Sequence, residues 1–110
     1  MIDGLIAGKL HGQPQQRTGQ SGKPFTTAKV RTATKDGGTV FVNAIAFAPA
    51  VQAALLALAD GDSVALSGEL TPKVWTDREG VTHPALDLMA YTALTAYHVS
   101  RKRQAVEGQS

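Results

Sequence analysis

The sequence predicts a small all-β domain, a five-stranded β-barrel with one short helix between its third and fourth strands. Two observations predict this fold class. Segments in which apolar and polar residues alternate, as in half-buried strands, recur along the chain and are separated by turns that contain glycine. Only the segment PAVQAALLALA has a convincing helical pattern. The 110 residues suffice for one modest hydrophobic core but not for two, so we expect a single domain.

The first predicted strand runs from Ile2 to Leu10, where glycines lie between the apolar residues. Glycines inside a strand suit a sharp bend or the close approach of another backbone. The next segment, His11 to Lys23, is rich in glycine and glutamine and has no periodicity. We therefore expect a loop there.

The second predicted strand, Phe25 to Thr34, is rich in threonine, which favours extended backbone. Its alternation directs two basic side chains, Lys29 and Arg31, to the same face. The opposite face is formed by Thr26, Ala28 and Val30.

The third predicted strand, Thr39 to Phe47, follows a tight turn at Lys35 to Gly38 and is apolar on both faces. Asn43 interrupts the face that carries Phe41 and Phe47. A buried amide without hydrogen-bond partners costs free energy, so this face is less suited to the core. Both phenylalanines are therefore expected on an accessible or interfacial surface.

The predicted helix, Pro49 to Ala59, is rich in alanine and leucine, and proline is tolerated in the first turn of a helix. Asp60 and Gly61 end it. Its core-facing stripe would consist of Val51, Leu55 and Leu58.

The last two strands are predicted to form a β-hairpin that carries the only tryptophan, Trp75. A turn is expected at Asp77 to Gly80, where glycine suits a positive φ. By alternation, Lys73 and Trp75 share the face opposite the apolar residues Val64, Leu66, Gly68, Leu70, Leu86 and Leu88. Trp75 is then either a lid at the edge of the core or an exposed platform for stacking.

Five strands with a helix between the third and fourth describe the OB-fold, a partly open barrel that binds oligonucleotides or oligosaccharides. We place this domain at residues 1–100 and expect residues 101–110 to form a disordered basic tail.

The charges are distributed unevenly along the chain. Residues 1–59 contain six Lys/Arg and two Asp/Glu, residues 60–100 contain two and six, and residues 101–110 contain three and one. A basic half joined to an acidic half suggests that one side of the molecule meets a polyanion, most commonly nucleic acid.

Several classes of protein are excluded by what the sequence lacks. The three histidines lie far apart without metal-ligand spacing, and there is no cysteine to help bind zinc. No serine elbow or P-loop is present, so no catalytic residue, metal site or cofactor is expected. No apolar run approaches the ~20 residues of a membrane span, and no signal peptide is recognisable. We expect a cytoplasmic protein.

With this element order in place, several segments resemble the bacterial single-stranded DNA-binding protein family. Gly8 to Pro14 is similar to the family's first strand and turn, with glutamine in place of aspartate before the proline. Phe41 to Phe47 resembles its third strand, which starts and ends on stacking aromatics. The most specific match is Gly68 to Leu70, followed by Lys73 to Asp77 and Gly80. The resemblance covers roughly residues 2–98.

The resemblance implies an OB-fold, homo-oligomerisation as a dimer or tetramer, and sequence-tolerant binding of single-stranded DNA in replication, recombination or repair. The sequence departs from the family pattern in three places. The turn at Lys35 to Gly38 is shorter than the family's loop, Asn43 occupies a place that is often basic, and Arg101 to Arg103 open a short tail where typical members lead to an acidic tip. Recruitment of replication proteins through an acidic tail is therefore not expected. A primosomal or replication-restart accessory protein and an OB domain that binds proteins are the alternative functions.

Binding a single strand requires a basic groove for the phosphates and aromatic faces on which bases stack. Phe47 could equally be a core or subunit-interface residue, because it directly precedes the helix. The candidate DNA-binding residues are the aromatic residues Trp75, Phe41 and Phe47 and the basic residues Lys29, Arg31, Lys73, Lys9, Arg17, Lys35 and Arg78.

Overall fold

The computed structural model describes residues 2–95, which form six strands and one helix. The tail predicted at residues 101–110 lies outside the described residues. The elements are β1 (Ile2–Leu10), β2 (Gln15–Thr18), β3 (Pro24–Ala33), β4 (Thr39–Ala46), α1 (Pro49–Leu56), β5 (Ser63–Thr76) and β6 (Thr82–Thr95).

Five of the strands close into a ring in the order β1, β5, β6, β4, β3. Strand β1 closes it by pairing with β3 through Lys9 opposite Arg31 and Leu10 opposite Val30. Neighbouring strands are antiparallel except for β4 and β6, which are parallel. The predicted five-stranded OB architecture, with its helix between the third and fourth of these strands, is confirmed.

The loop predicted for residues 11–23 is wrong in part, because Gln15–Thr18 forms a short strand, β2, at the edge of the sheet. It pairs with β3 only, from Gln15 opposite Thr27 to Thr18 opposite Pro24. All four of its side chains are exposed. A strand that buries nothing has no apolar alternation, so the sequence carried no signal for it.

The core lies inside the ring and is closed at one end by α1. Val30, Val42, Leu66 and Leu88 from four strands are fully buried beside Leu55 of the helix. The strand faces assigned by alternation are thus confirmed on β3, β4, β5 and β6.

A buried polar contact fixes α1 to the ring. The Thr26 hydroxyl donates to the Gln52 side-chain oxygen at 3.0 Å, and the Gln52 amide donates to the carbonyls of Phe47 (2.9 Å) and Pro24 (3.1 Å). The helix ends at Leu56, three residues before the predicted end at Ala59. The chain turns there because the Asp62 carboxylate accepts from the Ala59 amide at 2.8 Å.

Two glycines allow close contact between strands. A Cβ at Gly8 would overlap the carbonyl oxygen of Arg31, and a Cβ at Gly68 would overlap that of Met89. The close approach predicted for the glycines of the first strand is thus confirmed at Gly8. The pairing of β5 with β6 shifts register between Ser67 and Gly68, as at a β-bulge.

Strands β5 and β6 are longer than the ring requires. The neighbours of this hairpin pair with it only as far as Leu70 on β5 and back to Ala85 on β6. Residues 74–76 and 82–84 therefore extend beyond the ring as a two-stranded arm. At its tip the Asp77 carboxylate accepts hydrogen bonds from the amides of Glu79 and Val81, both at 2.9 Å, and Gly80 has a φ of 82°. The turn predicted at Asp77 to Gly80 is confirmed.

Candidate nucleic-acid interface

Four of the predicted DNA-binding residues meet at one cavity of about 340 Å³, called the aromatic cavity below. Strand register brings them together. Phe41 of β4 lies beside Ala85 of β6, and Ala85 lies opposite Lys73 of β5. In the next such row, Lys29 of β3 lies opposite Asn43 of β4. Side chains in one such row point to the same side of the sheet. The cavity is lined by Lys29, Phe41, Asn43, Lys73, Val74, Trp75, Ala85 and Asp87.

Trp75 lies on the arm and is 45% exposed. It stacks on His83 of the opposite strand, with ring centroids 4.4 Å apart and planes inclined by 23°. His83 is not among the residues that line the aromatic cavity. One indole face is therefore supported by the imidazole, and Trp75 packs on the arm rather than on the core.

The arm's turn holds His83 in place. The Asp77 carboxylate lies 2.9 Å from His83 Nε2 and also accepts the turn amides. These contacts lower the pKa of Asp77 below its ordinary value, the hydrogen bond with His83 most strongly and that from the Val81 amide next. Turn, carboxylate, imidazole and indole thus form one chain of contacts.

Phe41 is half-buried, and two side chains cover its ring. The His11 ring meets it edge-on at a centroid distance of 5.2 Å, and Lys29 Nζ lies 5.3 Å from its centroid in a cation–π contact. A base that stacks on the ring must displace the Lys29 ammonium.

Asp87 places a carboxylate beside these basic and aromatic residues. Its Oδ2 lies 2.6 Å from Lys73 Nζ, and its Oδ1 accepts a long hydrogen bond of 3.4 Å from the Asn43 side-chain amide. Asn43 and Asp87 are register partners on the parallel strands β4 and β6.

A second depression, the β2 groove, has a volume of about 750 Å³. It shares Lys29, Asn43 and Asp87 with the aromatic cavity, so the two adjoin. Arg17 lies on its β2 side, where its guanidinium donates to the Gln15 side-chain oxygen at 2.9 Å. His11, Gly12, Gln13 and Thr27 also line it.

The other predicted basic residues lie farther out. Lys9 and Arg31 are register partners and line a separate depression of about 370 Å³. Lys35 lies in the turn between β3 and β4, and Arg78 lies in the turn at the tip of the arm. None of these four lines the aromatic cavity or the β2 groove.

Phe47 lies just past the end of β4 and is 51% exposed. Its ring is 5.9 Å from that of Phe25. Six residues separate it from Phe41, which is roughly 20 Å along a strand. It therefore does not belong to the aromatic cavity.

Sequence reasoning missed four residues that shape this surface. They are His83 under the indole, His11 at the edge of Phe41, Asp87 beside Lys73, and Phe25 against Phe47. Each acts through a neighbour on another segment of the chain. The only available signal was parity, which puts Phe25 on the face of Lys29 and Asp87 opposite Leu86 and Leu88.

Residues 1–95 match the family model described as the single-strand binding protein family. No curated protein matches the chain. A small single-stranded DNA-binding protein from Streptomyces coelicolor has a similar structure, with a TM-score of 0.67 and 22% identity over 86% of this chain and 93% of that one. A mitochondrial single-stranded DNA-binding protein from S. cerevisiae gives a TM-score of 0.66 and 14% identity over 86% and 94%. None of the helices among residues 2–95 is long and apolar enough to cross a membrane.

Proposed function

The chain belongs to the single-strand binding protein family, whose members bind single-stranded DNA without catalysing a reaction, and we propose that it binds DNA across the aromatic cavity. The observation that carries this proposal is the meeting of Lys29, Phe41, Lys73 and Trp75 at one cavity from three strands. Aromatic faces next to ammonium groups are what an unstacked, charged strand requires.

The indole of Trp75 is the primary stacking face. His83 covers one side of it, so a base stacks on the side that faces the aromatic cavity. Each base stacked on an aromatic side chain contributes about 1–3 kcal/mol, with little dependence on sequence. Phe41 offers a second face once Lys29 leaves its ring.

The lysines supply the contacts to phosphate. A Lys29 ammonium displaced from Phe41 remains within the cavity and is free to meet the backbone of the strand whose base replaced it. Each neutralised phosphate should lower log affinity by roughly 0.7 for each tenfold rise in salt.

The DNA path extends beyond the cavity in both directions. Arg17 in the β2 groove and, farther along β4, Phe47 continue it on one side. Lys9 and Arg31 continue it on the other. Lys35 and Arg78, in exposed turns, attract the strand at longer range.

Titration of the intrinsic fluorescence with oligo-dT tests the proposal, because Trp75 is the only tryptophan and therefore the only indole reporter. Binding through the aromatic cavity should quench its emission, and added salt should reverse the quenching. An RNA oligonucleotide of matched length measures the preference for DNA. A folded sample that neither quenches nor shifts oligo-dT at low salt refutes the proposal.

We also propose that the protein self-associates along the open edge of β1. Within residues 2–95, β1 pairs along its whole length with β5, but its other edge is paired only at Lys9 and Leu10. The sheet also exposes apolar side chains, with Leu5 on β1 71% exposed and Tyr91, two strands away on β6, 52% exposed. A second copy that pairs along β1 would cover both features.

Light scattering distinguishes a dimer, as in a primosomal accessory protein, from a tetramer. A monomer at micromolar concentration would refute the proposed self-association. Roles in replication, recombination or repair, and a cytoplasmic location at the nucleoid, belong to the same proposal. So does the domain boundary at residue 100.

A further inference from the structure

Asp87 is the acidic residue of the proposed DNA-binding surface. Among the described residues it is the only carboxylate that lines the aromatic cavity, and the only one that lines the β2 groove. Its register partners are Asn43 on β4 and Thr71 on β5, and Lys29 lies opposite Asn43 on β3. Asp87 therefore lies in the middle of this face of the sheet, where the two depressions adjoin.

The Asp87 carboxylate already occupies one of the two lysines of the aromatic cavity. Its Oδ2 lies 2.6 Å from Lys73 Nζ, with 36% of the Asp87 side chain and 56% of the Lys73 side chain exposed. The Asn43 amide approaches the other carboxylate oxygen at 3.4 Å. A phosphate that approaches Lys73 must either share its ammonium with this carboxylate or displace it. Sharing brings two anions together, and displacement replaces one ion pair with another, so a phosphate gains little at Lys73.

Lys29, the second lysine of the cavity, is held in a different way. Its Nζ lies 5.3 Å from the centroid of the Phe41 ring, and it forms no ion pair with the other residues in the range 2–95. A phosphate that draws Lys29 away loses this cation–π contact and leaves that face of the ring without a partner. A base that stacks on Phe41 covers the ring and releases the ammonium at the same time. The charge of Lys29 thus becomes available most easily to a strand that brings a base.

Bases are not subject to the repulsion that Asp87 exerts on phosphate. Each base is uncharged, and stacking on Trp75 or Phe41 uses the face of its ring, which every base possesses. The carboxylate therefore discriminates between the two parts of a nucleotide, because it opposes the phosphate and tolerates the base.

We propose that Asp87 makes the aromatic cavity selective for strands with accessible bases over other polyanions. The proposal rests on the proposed DNA binding and assigns to this carboxylate the exclusion of phosphate from the cavity. A single strand binds with its bases in the cavity and its phosphates at the rim, near Lys29 and the outer basic residues. Duplex DNA, whose bases are stacked within the helix, and polyanions without bases gain only the phosphate contacts that Asp87 weakens.

The test compares oligo-dT with an abasic strand of equal length, which has the same charged backbone but no bases to stack. Both strands carry a fluorescent end label, and their Kd values are measured by anisotropy at low salt. In the wild type, oligo-dT should bind more tightly, because only this strand can stack. Asp87→Asn, which replaces the carboxylate with an amide of the same shape, should tighten the binding of the abasic strand about threefold or more relative to that of oligo-dT. The log affinity of this variant for the abasic strand should also fall more steeply, by roughly 0.7 for each tenfold rise in salt, because Lys73 becomes available to one more phosphate.

Two further variants control for overall charge and for the introduced amide. Glu79→Gln removes one negative charge in the exposed turn of the arm and should change both affinities by the same factor. Asp87→Ser removes the carboxylate without adding an amide, and it should act as Asp87→Asn does.

The selective role of Asp87 is refuted if the ratio of the two affinities changes less than about threefold in either Asp87 variant, or if it changes only because oligo-dT binds more weakly. In the first case Asp87 acts only through overall charge, and in the second it contacts the bases. Neither result affects the DNA-binding proposal, which fails instead if the wild type binds neither strand.

Discussion

Replacing Trp75 with alanine should weaken DNA binding much more than it weakens the fold. The indole is 45% exposed, lies on the arm, and is not part of the buried core cluster. Its stacking partner within the chain is one imidazole, at a centroid distance of 4.4 Å. An aromatic pair of this kind is worth about 0.5–1.5 kcal/mol, whereas removing a fully buried tryptophan costs about 3–5 kcal/mol.

The expected loss of binding is larger. One base stack contributes about 1–3 kcal/mol, which corresponds to a Kd roughly five- to 150-fold weaker. Anisotropy of end-labelled oligo-dT measures Kd without the lost tryptophan, and urea unfolding followed by circular dichroism measures the free energy of unfolding. Trp75→Phe, which keeps an aromatic face, is the matched control and should retain most of the binding.

The two measurements separate the two interpretations of Trp75. A stability loss of about 3–5 kcal/mol, with binding lost only in proportion to unfolding, would show that the indole is a structural lid and would refute the stacking role. If a folded Trp75→Ala variant bound oligo-dT with unchanged affinity, the DNA path could not run through the aromatic cavity.

Three further predictions follow from the arm and the bulge. His83→Ala should weaken oligo-dT binding about two- to tenfold because the indole of Trp75 loses its support, and His83→Phe should restore it; equal affinities for the two variants would contradict this. Gly68→Ala should lower the free energy of unfolding by about 1–3 kcal/mol because its Cβ meets a carbonyl of the neighbouring strand. Gly19→Ala, whose Cβ has no neighbour closer than 3.7 Å, is the control, and both are measured by urea unfolding. Because its contacts lower the pKa of Asp77 in the folded state, this carboxylate stabilises the fold above about pH 4, and the stabilisation disappears as the pH falls through the lowered pKa. Urea unfolding at about pH 6 and about pH 3 should therefore show a larger loss for the wild type than for Asp77→Asn, and equal losses would exclude this linkage.

The sequence predicted those features that depend on alternation along a single strand. Lys29 and Arg31 on β3 and the exposed face of β4 with Asn43 were assigned in this way, because a side chain's face is fixed by its parity once the strand is known. Strand β2 escaped prediction because it buries none of its side chains. The alternation of apolar and polar residues reflects the burial of one face of a strand. A strand that buries neither face therefore cannot be recognised from this pattern.

Contacts between strands could not be predicted in the same way. That His83 supports Trp75 depends on the register of β5 with β6, and that Asp87 meets Lys73 depends on the same register. The register shift at Ser67 and Gly68 moves every later pair by one residue. The sequence thus identified the basic and aromatic residues of the interface but not its acidic residue, Asp87.

The two-stranded arm carries Trp75, the proposed primary stacking face, beyond the part of the protein that holds the fold together. Residues 74–76 and 82–84 have only each other as strand partners among residues 2–95, so the free energy of opening this ribbon should lie well below that of unfolding the ring. The indole can then swing to follow a strand while the barrel stays intact. Substitutions on the arm should therefore alter affinity at little cost in stability.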